Sequence, residues 1–481
     1  MGSVRAALAI VLLCIAHVLA AASATGNRVL AIVDNVSEYS AWTAHVRQQG
    51  YDVVLLHEHE AGALDLNLFG KRTFDHIAML APHTKQSQGA LSPQALVAFL
   101  ENGGNLVVAL NANRTEQWRD FAREFGVEFG ERRAMLIDHF SYDANLDSGD
   151  HTAVRVGGIR EHFAPGGPVP NRGVFGFDTL ELLALHPMVY RGVAHRVGPN
   201  PLLFSVLAPP GASYEGDVPS LERTSEGYRA QNLDKLEPLY GDKQLLTGFD
   251  AASDSAPAAL ASATQLLGNA ARVVFVGSTE LFKNTLYSDA ALSNRAVLND
   301  LVSWAFQERG VLRVLGTSHE RIRKNEHDVR PEYDEVPGIK ARVYRIKDEV
   351  HYTLDVAEYV HGAWAPTVDD LDLQLSVTML DPHLTLPLVA EKTAHFTRYA
   401  TKLRLPDRHG VFTLRVDWKR HGWTYILAED TVPVRPFNHD EYPRMLSSSW
   451  PYIAGAMSTM LAFTVFTFLW LTMPSPKSKQ E

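Results

Sequence analysis

The apolar positions between residues 28 and 140 follow two alternating periods. Short continuous apolar runs, including RVLAIV at Arg28–Val33 and NLVVAL at Asn105–Leu110, predict buried strands. Segments with helical spacing lie between such runs, and one of them begins at Ser92-Pro93 and stops before Gly103-Gly104. This alternation is typical of an open parallel sheet with helices on both faces. We therefore predict an α/β domain over residues 25–150.

Beyond this domain the pattern becomes mixed and then rich in strands. A strand at Ala271–Val276 and an amphipathic helix at Asn294–Glu308 indicate a second, mixed α/β domain over residues 151–312. Acidic and basic residues are interspersed over residues 313–340, which predicts a solvated linker. Strand-like runs at a spacing of roughly ten residues predict a small antiparallel β-sandwich over residues 341–442.

The segment 451–473 has no charged residue and is apolar all round. As a helix it would be roughly 34 Å long, enough to cross a bilayer core of about 30 Å. Trp450 and Tyr452 at one end and Trp470 at the other fit the two membrane interfaces. A buried core helix is the alternative, but core helices of this length usually keep a polar face. We predict a single transmembrane helix.

A second apolar segment lies at the N-terminus. Arg5, the apolar run Ala6–Ala20 and the small residues Ala22-Ser23-Ala24 match a secretory signal peptide, which we place at residues 1–24. An uncleaved anchor is the alternative. A cleaved signal peptide followed by one span predicts a type I protein, with its bulk in the lumen and the tail 474–481 in the cytosol.

Charge and cysteine content exclude several functions. The net charge is −10 without any basic block, which argues against a nucleic-acid partner. The only cysteine is Cys14, inside the predicted signal peptide. The mature chain would then have no thiolate for nucleophilic catalysis or for metal binding.

Two polar stretches have some features of metal sites. The stretch His57-Glu58-His59-Glu60 lacks a second histidine at helical i,i+4 spacing. In the acidic loop Asp143–Asp147 the following glycine comes one residue late for a calcium loop, and Val154 takes the place of the closing carboxylate. We interpret the first as a polar strand end and the second as a loop without calcium, and expect neither a metal ion nor a cofactor.

Polar residues at strand ends are the remaining candidates for chemistry. Asp138-His139 ends the strand-like run MLIDHF, and Asp34-Asn35 follows the first strand. Ligands bind at the carboxyl ends of strands in open α/β sheets, so these residues could line a site, although strand-end caps are the commoner role. No pairing of a base with a nucleophile is recognisable in the sequence, and we predict no catalytic residue.

Two sequons, Asn35-Val-Ser37 and Asn113-Arg-Thr115, lie in the predicted lumenal part. We favour Asn113 as the glycosylated residue, because it is expected in an exposed loop between a strand and a helix. Asn35 is so close to a strand end that burial could protect it.

The predicted membrane helix carries small residues at helical spacing, namely Ala454, Gly455, Ser458 and Ala462. Such a stripe lets helix backbones approach each other and predicts a helix–helix interface, although small residues are common in any span. In the tail, Lys477 and Lys479 have the spacing of a dilysine retrieval signal of the early secretory pathway. Anchoring of the topology is the alternative role of these lysines.

Several motifs follow one another along the whole mature chain: Val33-Asp34-Asn35, IDHFSYD (Ile137–Asp143), YRGVAHRVG (Tyr190–Gly198), VFVGS (Val274–Ser278), YRIKDEVHYTLDV (Tyr344–Val356), LPDRHGVFTLRVDW (Leu405–Trp418), VRPFNHDEY (Val434–Tyr442) and PYIAGAMSTM at the start of the span. In this order they resemble one known family, the 48 kDa subunits of eukaryotic oligosaccharyltransferase. The family's first domain is similar to flavodoxin-like, class I glutamine amidotransferase folds, without their nucleophilic cysteine.

The resemblance implies a non-catalytic subunit of the endoplasmic reticulum membrane. The complex transfers a preassembled oligosaccharide from dolichyl pyrophosphate to asparagine in Asn-x-Ser/Thr of nascent chains. Implied partners are a catalytic polytopic subunit, a ribophorin II-like subunit and a defender-against-cell-death-like subunit. Two other functions remain open from the residues alone: a membrane-anchored lumenal enzyme with a site at the sheet's strand ends, and a lumenal receptor for glycans or cargo.

Overall fold

A computed structural model describes most of the chain: residues 23–61, 64–83, 89, 91–157, 173–217, 221–224, 227–230, 258–322, 343–360, 362–442 and 445–474. Residues 1–22 of the predicted signal peptide lie outside these ranges. So do the greater part of the predicted linker and the tail residues Lys477 and Lys479.

A seven-stranded sheet, here called the main sheet, forms the centre of the N-terminal region. Five neighbouring strands are parallel, and the strand Ala261–Gln265 and the edge strand Leu203–Leu207 extend them by antiparallel pairing. From one edge to the other the order is Leu203–Leu207, Ala261–Gln265, Arg272–Val276, Asn105–Ala109, His76–Met79, Arg28–Val33 and Asp52–His57.

Helices cover both faces of this sheet because successive strand residues point to opposite sides. In the first strand, Val29 and Ala31 belong to the core on one face and Leu30 and Ile32 to the core on the other. The first core contains residues of the helices Ser40–Gln48, Phe177–Leu185 and Asn294–Ala305, and the second contains residues of Pro93–Glu101 and Glu116–Glu124. The predicted α/β architecture is thereby confirmed.

The local signals read from the sequence act as expected at the Pro93–Glu101 helix. The Ser92 Oγ accepts a hydrogen bond from the backbone N–H of Ala95, and Pro93 occupies the first turn, where its missing N–H costs nothing. The helix ends before Gly103, which has a φ of +84°.

Shorter elements surround the main sheet. A three-stranded sheet contains Val127–Phe129, His195–Val197 and Ala258–Ala259. Four strand pairs are Val154–Val156 with Met188–Tyr190, Ala134–Ile137 with Tyr214–Asp217, Leu221–Thr224 with Gly227–Ala230, and Asn67–Leu68 with Lys71–Arg72. The short helices are Glu58–Ala61 and Asn284–Tyr287, and the 3-10 turns are Val36–Tyr39 and Glu280–Phe282.

The main sheet differs from the predicted division at residue 150. The strand Arg272–Val276, expected in a second α/β domain, pairs in parallel with Asn105–Ala109 of the first. Both segments, 25–150 and 151–312, therefore contribute to one sheet and to shared cores. Pairing between strands more than 160 residues apart leaves no local pattern, which is why the sequence suggested two units.

The C-terminal region is rich in β-structure, as predicted. One five-stranded sheet contains Val311–Arg321, Glu349–Val360, Ala363–Ala365, Val389–Lys392 and Thr397–Arg404. A second contains Tyr344–Arg345, Gln374–Met379, Asp381–Pro387, Gly410–Trp418 and Ile426–Arg435. Inward residues of both sheets, such as Tyr352, Tyr399 and Phe412, form one hydrophobic core. This part is called the β region below.

The prediction of a linker over 313–340 needs correction at its start. Residues 313–321 lie in the strand Val311–Arg321, which pairs along its length with Glu349–Val360. This strand is at the edge of its sheet, where charged side chains point to solvent while the backbone is paired. Charge content alone therefore did not distinguish it from a linker.

A buried joint connects the α/β and β regions where the chain passes from one to the other. The Arg272 guanidinium donates hydrogen bonds to the carbonyls of Trp304 (2.7 Å), Arg309 (2.6 Å) and Gly310 (2.7 Å). The Trp304 Nε1–H donates to the carbonyl of Gly422 in the β region at 2.8 Å. Gly310 has a φ of +61°, and a Cβ there would lie 2.2 Å from the Gly422 oxygen, so only glycine fits.

The last element is the helix Trp450–Thr472, preceded by a 3-10 turn at Ser447–Ser449. The stretch Ser447–Thr472 is long and apolar enough to span a membrane, and no residue of its most apolar window is buried among the described residues. The alternative of a buried core helix is thereby excluded for this segment.

Candidate functional site

Polar side chains gather at the carboxyl edge of the main sheet, where parallel strands end together. Asp34 follows the first strand, His83 follows the strand His76–Met79, and Glu280 and Lys283 follow the strand Arg272–Val276. In open α/β sheets this edge is the usual place for a ligand. Asp34 alone of these four was singled out from the sequence, because the others are four to seven residues beyond a strand end.

Asp34 is the residue of this edge whose electrostatics stand out. Its side chain is partly buried, and no hydrogen bond to Asp34 Oδ1 is found among the described residues. Burial raises the pKa of Asp34, and the neighbouring His83 and Lys283 act in the opposite direction. The pKa of Glu280 is also raised by burial. The edge therefore holds two carboxyl groups with unusual affinity for protons, next to cationic groups.

The first sequon lies at the same edge, and the side chain of its Asn35 forms hydrogen bonds with neighbouring residues. Asn35 caps the turn Val36–Tyr39, because its Oδ1 accepts hydrogen bonds from the Ser37 N–H (3.3 Å) and Ser37 Oγ–H (2.9 Å). Its Nδ2 donates to Glu38, which forms an ion pair with Lys283 at 2.6 Å. Asn35 is exposed rather than buried. The expected protection by burial is therefore absent, although the amide is held by the turn.

The second sequon lies in the loop after the strand Asn105–Ala109. Asn113 is exposed, its backbone N–H donates to Asn111 Oδ1, and its carbonyl lies 3.2 Å from His83 Nδ1. Its position between a strand and the helix Glu116–Glu124 agrees with the expected loop. Glycosylation of Asn113 stays a prediction.

Asp138 and His139 do not lie at the carboxyl edge of the main sheet. Their strand, Ala134–Ile137, pairs with Tyr214–Asp217 in a separate small sheet. Asp138 is completely buried and accepts hydrogen bonds from the backbone N–H of Phe140 and of Ser141 and from the Ser213 hydroxyl. It is a strand-end cap, which is the commoner of the two roles considered for it.

His139 belongs to a separate surface cluster of aromatic side chains. Its Nδ1 lies 2.8 Å from His151 Nδ1 and its Nε2 lies 2.8 Å from the Tyr214 hydroxyl. The ring of Tyr142 stacks on His151 with centroids 4.1 Å apart. The lone pairs and protons of His139 are thus occupied by neighbours on the surface.

Neither of the two metal-like stretches forms a metal site in the part of the chain that the structure describes. The rings of His57 and His59 stack on each other with centroids 5.0 Å apart. Asp147 accepts backbone hydrogen bonds from Gly149, His151 and Thr152, so its oxygens stabilise the loop. His57 is the last residue of the strand Asp52–His57, so the first stretch is a polar strand end, and the second stretch is a polar loop.

A serine–histidine pair that sequence reasoning missed lies inside the fold. His195 Nε2 and Ser262 Oγ are 2.8 Å apart, although His195 belongs to the three-stranded sheet and Ser262 to the strand Ala261–Gln265 of the main sheet. Both residues are buried, and no hydrogen-bond partner is found for His195 Nδ1 among the described residues. Burial lowers the pKa of His195 to about 3. A nucleophile must reach its substrate and its base needs an orienting group, so this pair is structural.

The candidate interface on the membrane helix is exposed in the structure. Ala454, Gly455, Ser458 and Ala462 are all exposed, and the Ser458 hydroxyl donates to the carbonyl of Gly455 within the helix. A Cβ placed on Gly455 would meet no atom within 4 Å. The stripe therefore has room for another helix, and contact with one stays a prediction.

Taken together, the fold and this helix define a class of protein: a membrane-anchored protein with a large α/β and β part outside the bilayer and one apolar C-terminal helix. Two family models match the chain, "OST48, N-terminal domain" over residues 20–308 and "OST48 middle domain" over residues 325–474.

Curated relatives agree with these matches. The chain is 30% identical to the dolichyl-diphosphooligosaccharide–protein glycosyltransferase 48 kDa subunit of Caenorhabditis elegans, over 90% of this chain and 88% of that protein. It is 26% identical to the 48 kDa subunit of Arabidopsis thaliana, over 93% of both chains. It is 28% identical to the subunit wbp1 of Schizosaccharomyces pombe, over 94% of both. The chain belongs to the OST48 family.

Proposed function

We propose that this chain works as a non-catalytic, structural subunit of oligosaccharyltransferase. The complex transfers a preassembled oligosaccharide from dolichyl pyrophosphate to asparagine in Asn-x-Ser/Thr of nascent chains. Membership of the OST48 family supports a role in this complex, since the relatives are named as subunits of that glycosyltransferase. The observation that carries the structural role is the apolar helix, which has no residue buried among the described residues and needs lipid or other proteins to cover it.

The candidate chemistry supports the non-catalytic part of this proposal. Asp138 is used as a cap, and the pair His195–Ser262 is sealed inside the fold. The only cysteine in the sequence is Cys14, in the predicted signal peptide. Activity would then belong to another subunit of the complex.

The proposal includes a topology and a domain layout. A signal peptide at 1–24 and a span at 451–473 would make this a type I protein of the endoplasmic reticulum membrane, with the α/β segments 25–150 and 151–312 and the sandwich 341–442 in the lumen. Lys477 and Lys479 would then be cytosolic and available as a retrieval signal. Support comes from the family, whose members are named as subunits of this complex, and from the one candidate span found among the described residues.

The proposal also includes partners and a finer fold. A catalytic polytopic subunit, a ribophorin II-like subunit and a defender-against-cell-death-like subunit would be the partners, held through membrane helices and lumenal domains. Ala454, Gly455, Ser458 and Ala462 would form a helix–helix contact with one of them. The five parallel strands with helices on both faces support a flavodoxin-like, amidotransferase-like sheet. The polar carboxyl edge would be what remains of that fold's ligand site.

The proposal is tested by purifying the full-length chain from membranes in mild detergent and identifying the proteins that accompany it. We expect co-migration with the other oligosaccharyltransferase subunits, including a polytopic one. Migration of the chain alone, at the size of one copy in detergent, would contradict the structural role.

A second function keeps some support from Asp34, whose Oδ1 has no hydrogen-bond partner among the described residues. An enzyme or a glycan receptor that uses the sheet edge would need this carboxyl group. Asp34→Asn should leave glycosylation of a reporter protein unchanged if the chain is structural. A marked loss of glycosylation with an intact complex would favour a functional site at the edge.

A further inference from the structure

An exposed leucine stands at the turn of one hairpin in the β region. The strands Gln374–Met379 and Asp381–Pro387 pair antiparallel, and Leu380 lies between them. The Leu380 side chain is fully exposed, and its φ is +69°, in the left-handed region that leucine rarely adopts. Exposure of a large apolar side chain and backbone strain both disfavour leucine here in an isolated protein.

The hairpin tip is at the end of the β region that lies opposite the joint. The strand Gly410–Trp418 runs from this end towards Gly422 and Thr424, which contact the α/β region. Thr378 pairs with Thr413, and the Sδ of Met379 would lie 2.8 Å from a Cβ on Gly410. The strand Gly410–Trp418 has nine residues and is therefore about 27 Å long. The tip is therefore about this far from the joint.

The chain leaves the β region at the same end. The last strand ends at Arg435, next to Gly410, because Val434 pairs with Gly410. The following segment stays there, since Arg435 forms hydrogen bonds of 2.6 and 2.9 Å with Glu441. The ring of Tyr442 packs on Phe437 with centroids 5.4 Å apart.

Only a short stretch then leads to the membrane helix. Five residue steps separate Tyr442 from Ser447, where the 3-10 turn before the helix begins. A fully extended chain covers at most about 18 Å in five steps. Trp450 and Tyr452, at the start of the helix, are side chains that favour the interface of a bilayer. The end of the β region that carries Leu380 is therefore close to the membrane.

We propose that the Leu380 hairpin is a second membrane contact of the chain, in which the leucine side chain enters the interfacial layer of the bilayer beside the helix. The partner that contacts the Leu380 hairpin is the lipid surface itself. Because the helix holds the hairpin near this surface, a single apolar side chain suffices for a reversible contact. The contact fixes the tilt of the β region on the membrane. This inference rests on the membrane span of the proposed function.

The test uses the full-length chain in lipid nanodiscs, with Cys14→Ser removing the only native cysteine. Single cysteines replace Leu380, Leu427 and Leu461 in turn and carry a nitroxide spin label. Leu427 is the matched control, because it is also an exposed leucine but lies on the last strand near the joint, opposite Asp417. Leu461 reports on the helix. Collision with oxygen, relative to collision with a water-soluble nickel chelate, measures the depth of each label.

We expect this ratio to be several-fold higher at position 380 than at 427, and highest at 461. Equal, water-like ratios at 380 and 427, with a high ratio at 461, would overturn the hairpin contact while leaving the membrane span intact. A water-like ratio at 461 would overturn both. Protection of the label at 380 from both reagents would show that protein covers the tip and would likewise overturn the proposal.

A second measurement places the label beside position 380 and varies the side chain at that position. Val411 lies beside the tip, two residues before Thr413, and its side chain is exposed. A spin label on Val411→Cys should lie less deep in the bilayer when Leu380→Asp is added. With Leu380→Met its depth in the bilayer should be unchanged. Since Leu380 makes no buried contact, both variants are expected to fold. The same depth with Asp and Met would contradict a lipid contact.

Discussion

The joint around Arg272 and the helix Trp450–Thr472 are opposite kinds of surface. At the joint, a buried guanidinium donates to the carbonyls of Trp304, Arg309 and Gly310 and also to Gln265 Oε1. On the helix, no residue of the most apolar window is buried among the described residues. The joint is complete within one chain, whereas the helix depends on lipid or on other proteins. The helix is therefore the surface through which we propose that the chain assembles.

The largest effect is expected at the joint. Arg272→Leu removes the charged hydrogen bonds to the carbonyls of Trp304, Arg309 and Gly310, and a hydrogen bond to a charged group contributes about 1.5–3 kcal/mol. The free energy of unfolding should fall by about 3 kcal/mol or more, as measured by thermal or urea unfolding of the full chain in detergent.

Arg123→Leu is the matched control for this variant. Arg123 is exposed and pairs only with Asp120 one turn away, so its loss should change the free energy of unfolding by less than about 0.5 kcal/mol. Equal effects of the two variants would contradict a special role of the joint.

The next effect concerns assembly through the helix. Ala454→Leu should weaken association with the other subunits by about 1–2 kcal/mol, or roughly tenfold, because it fills the space that a neighbouring helix would use. Ala456→Leu makes the same change roughly 200° around the helix and should have no effect. Quantitative co-purification in mild detergent compares the two, and equal loss from both would argue against a defined interface.

Acid should destabilise the α/β region and leave the exposed helix unaffected. Burial lowers the pKa of His76 to about 4 and that of His195 to about 3, from an ordinary value of 6.5. Below pH 6.5 the unfolded chain binds protons at these residues that the folded chain excludes. Stability is therefore complete above about pH 6.5 and falls towards pH 4, by up to about 1.4 kcal/mol per pH unit for each histidine.

Urea unfolding at several pH values checks this slope. His195→Gln should flatten it, since glutamine keeps a hydrogen-bonding group towards Ser262 but does not titrate in this range. His186→Gln, at an exposed position, is the control. An unchanged slope in His195→Gln would contradict the burial of a neutral imidazole.

The smallest effect on stability is expected at the sequons. Asn113→Gln should remove one glycan, seen as a mass shift of the chain purified from membranes, and change the free energy of unfolding by less than about 0.5 kcal/mol, because the side chain is exposed. Asn35→Gln is the comparison, and its side chain already caps a turn. A mass shift from Asn35→Gln and none from Asn113→Gln would reverse the assignment.

Local features of the fold could be predicted because local physics determines them. The run RVLAIV, the Ser92 cap and the uncharged segment at the end of the chain each contain enough information within a few residues. The place of Arg272–Val276 in the main sheet could not be predicted, since it depends on a partner strand far away in the sequence.

The candidate site shows the same limit. Asp34 was identified because it directly follows a strand, whereas Glu280 begins a 3-10 turn and Lys283 follows that turn, so both reach the edge only through the fold. Asp138 looked similar to Asp34 in the sequence, but its strand belongs to another sheet and its carboxylate is used by Phe140 and Ser141. Sequence spacing identifies strand ends and does not identify which sheet they belong to.

Photo-crosslinking in native membranes tests the central claim most directly. A photoreactive amino acid placed at Ala454 or at Ser458 should give adducts with another oligosaccharyltransferase subunit, and the same amino acid at Ala456, on the other side of the helix, should give none. Absence of protein adducts from all three positions, or equal adducts from all three, would contradict the account of a helix that docks through its stripe of small residues.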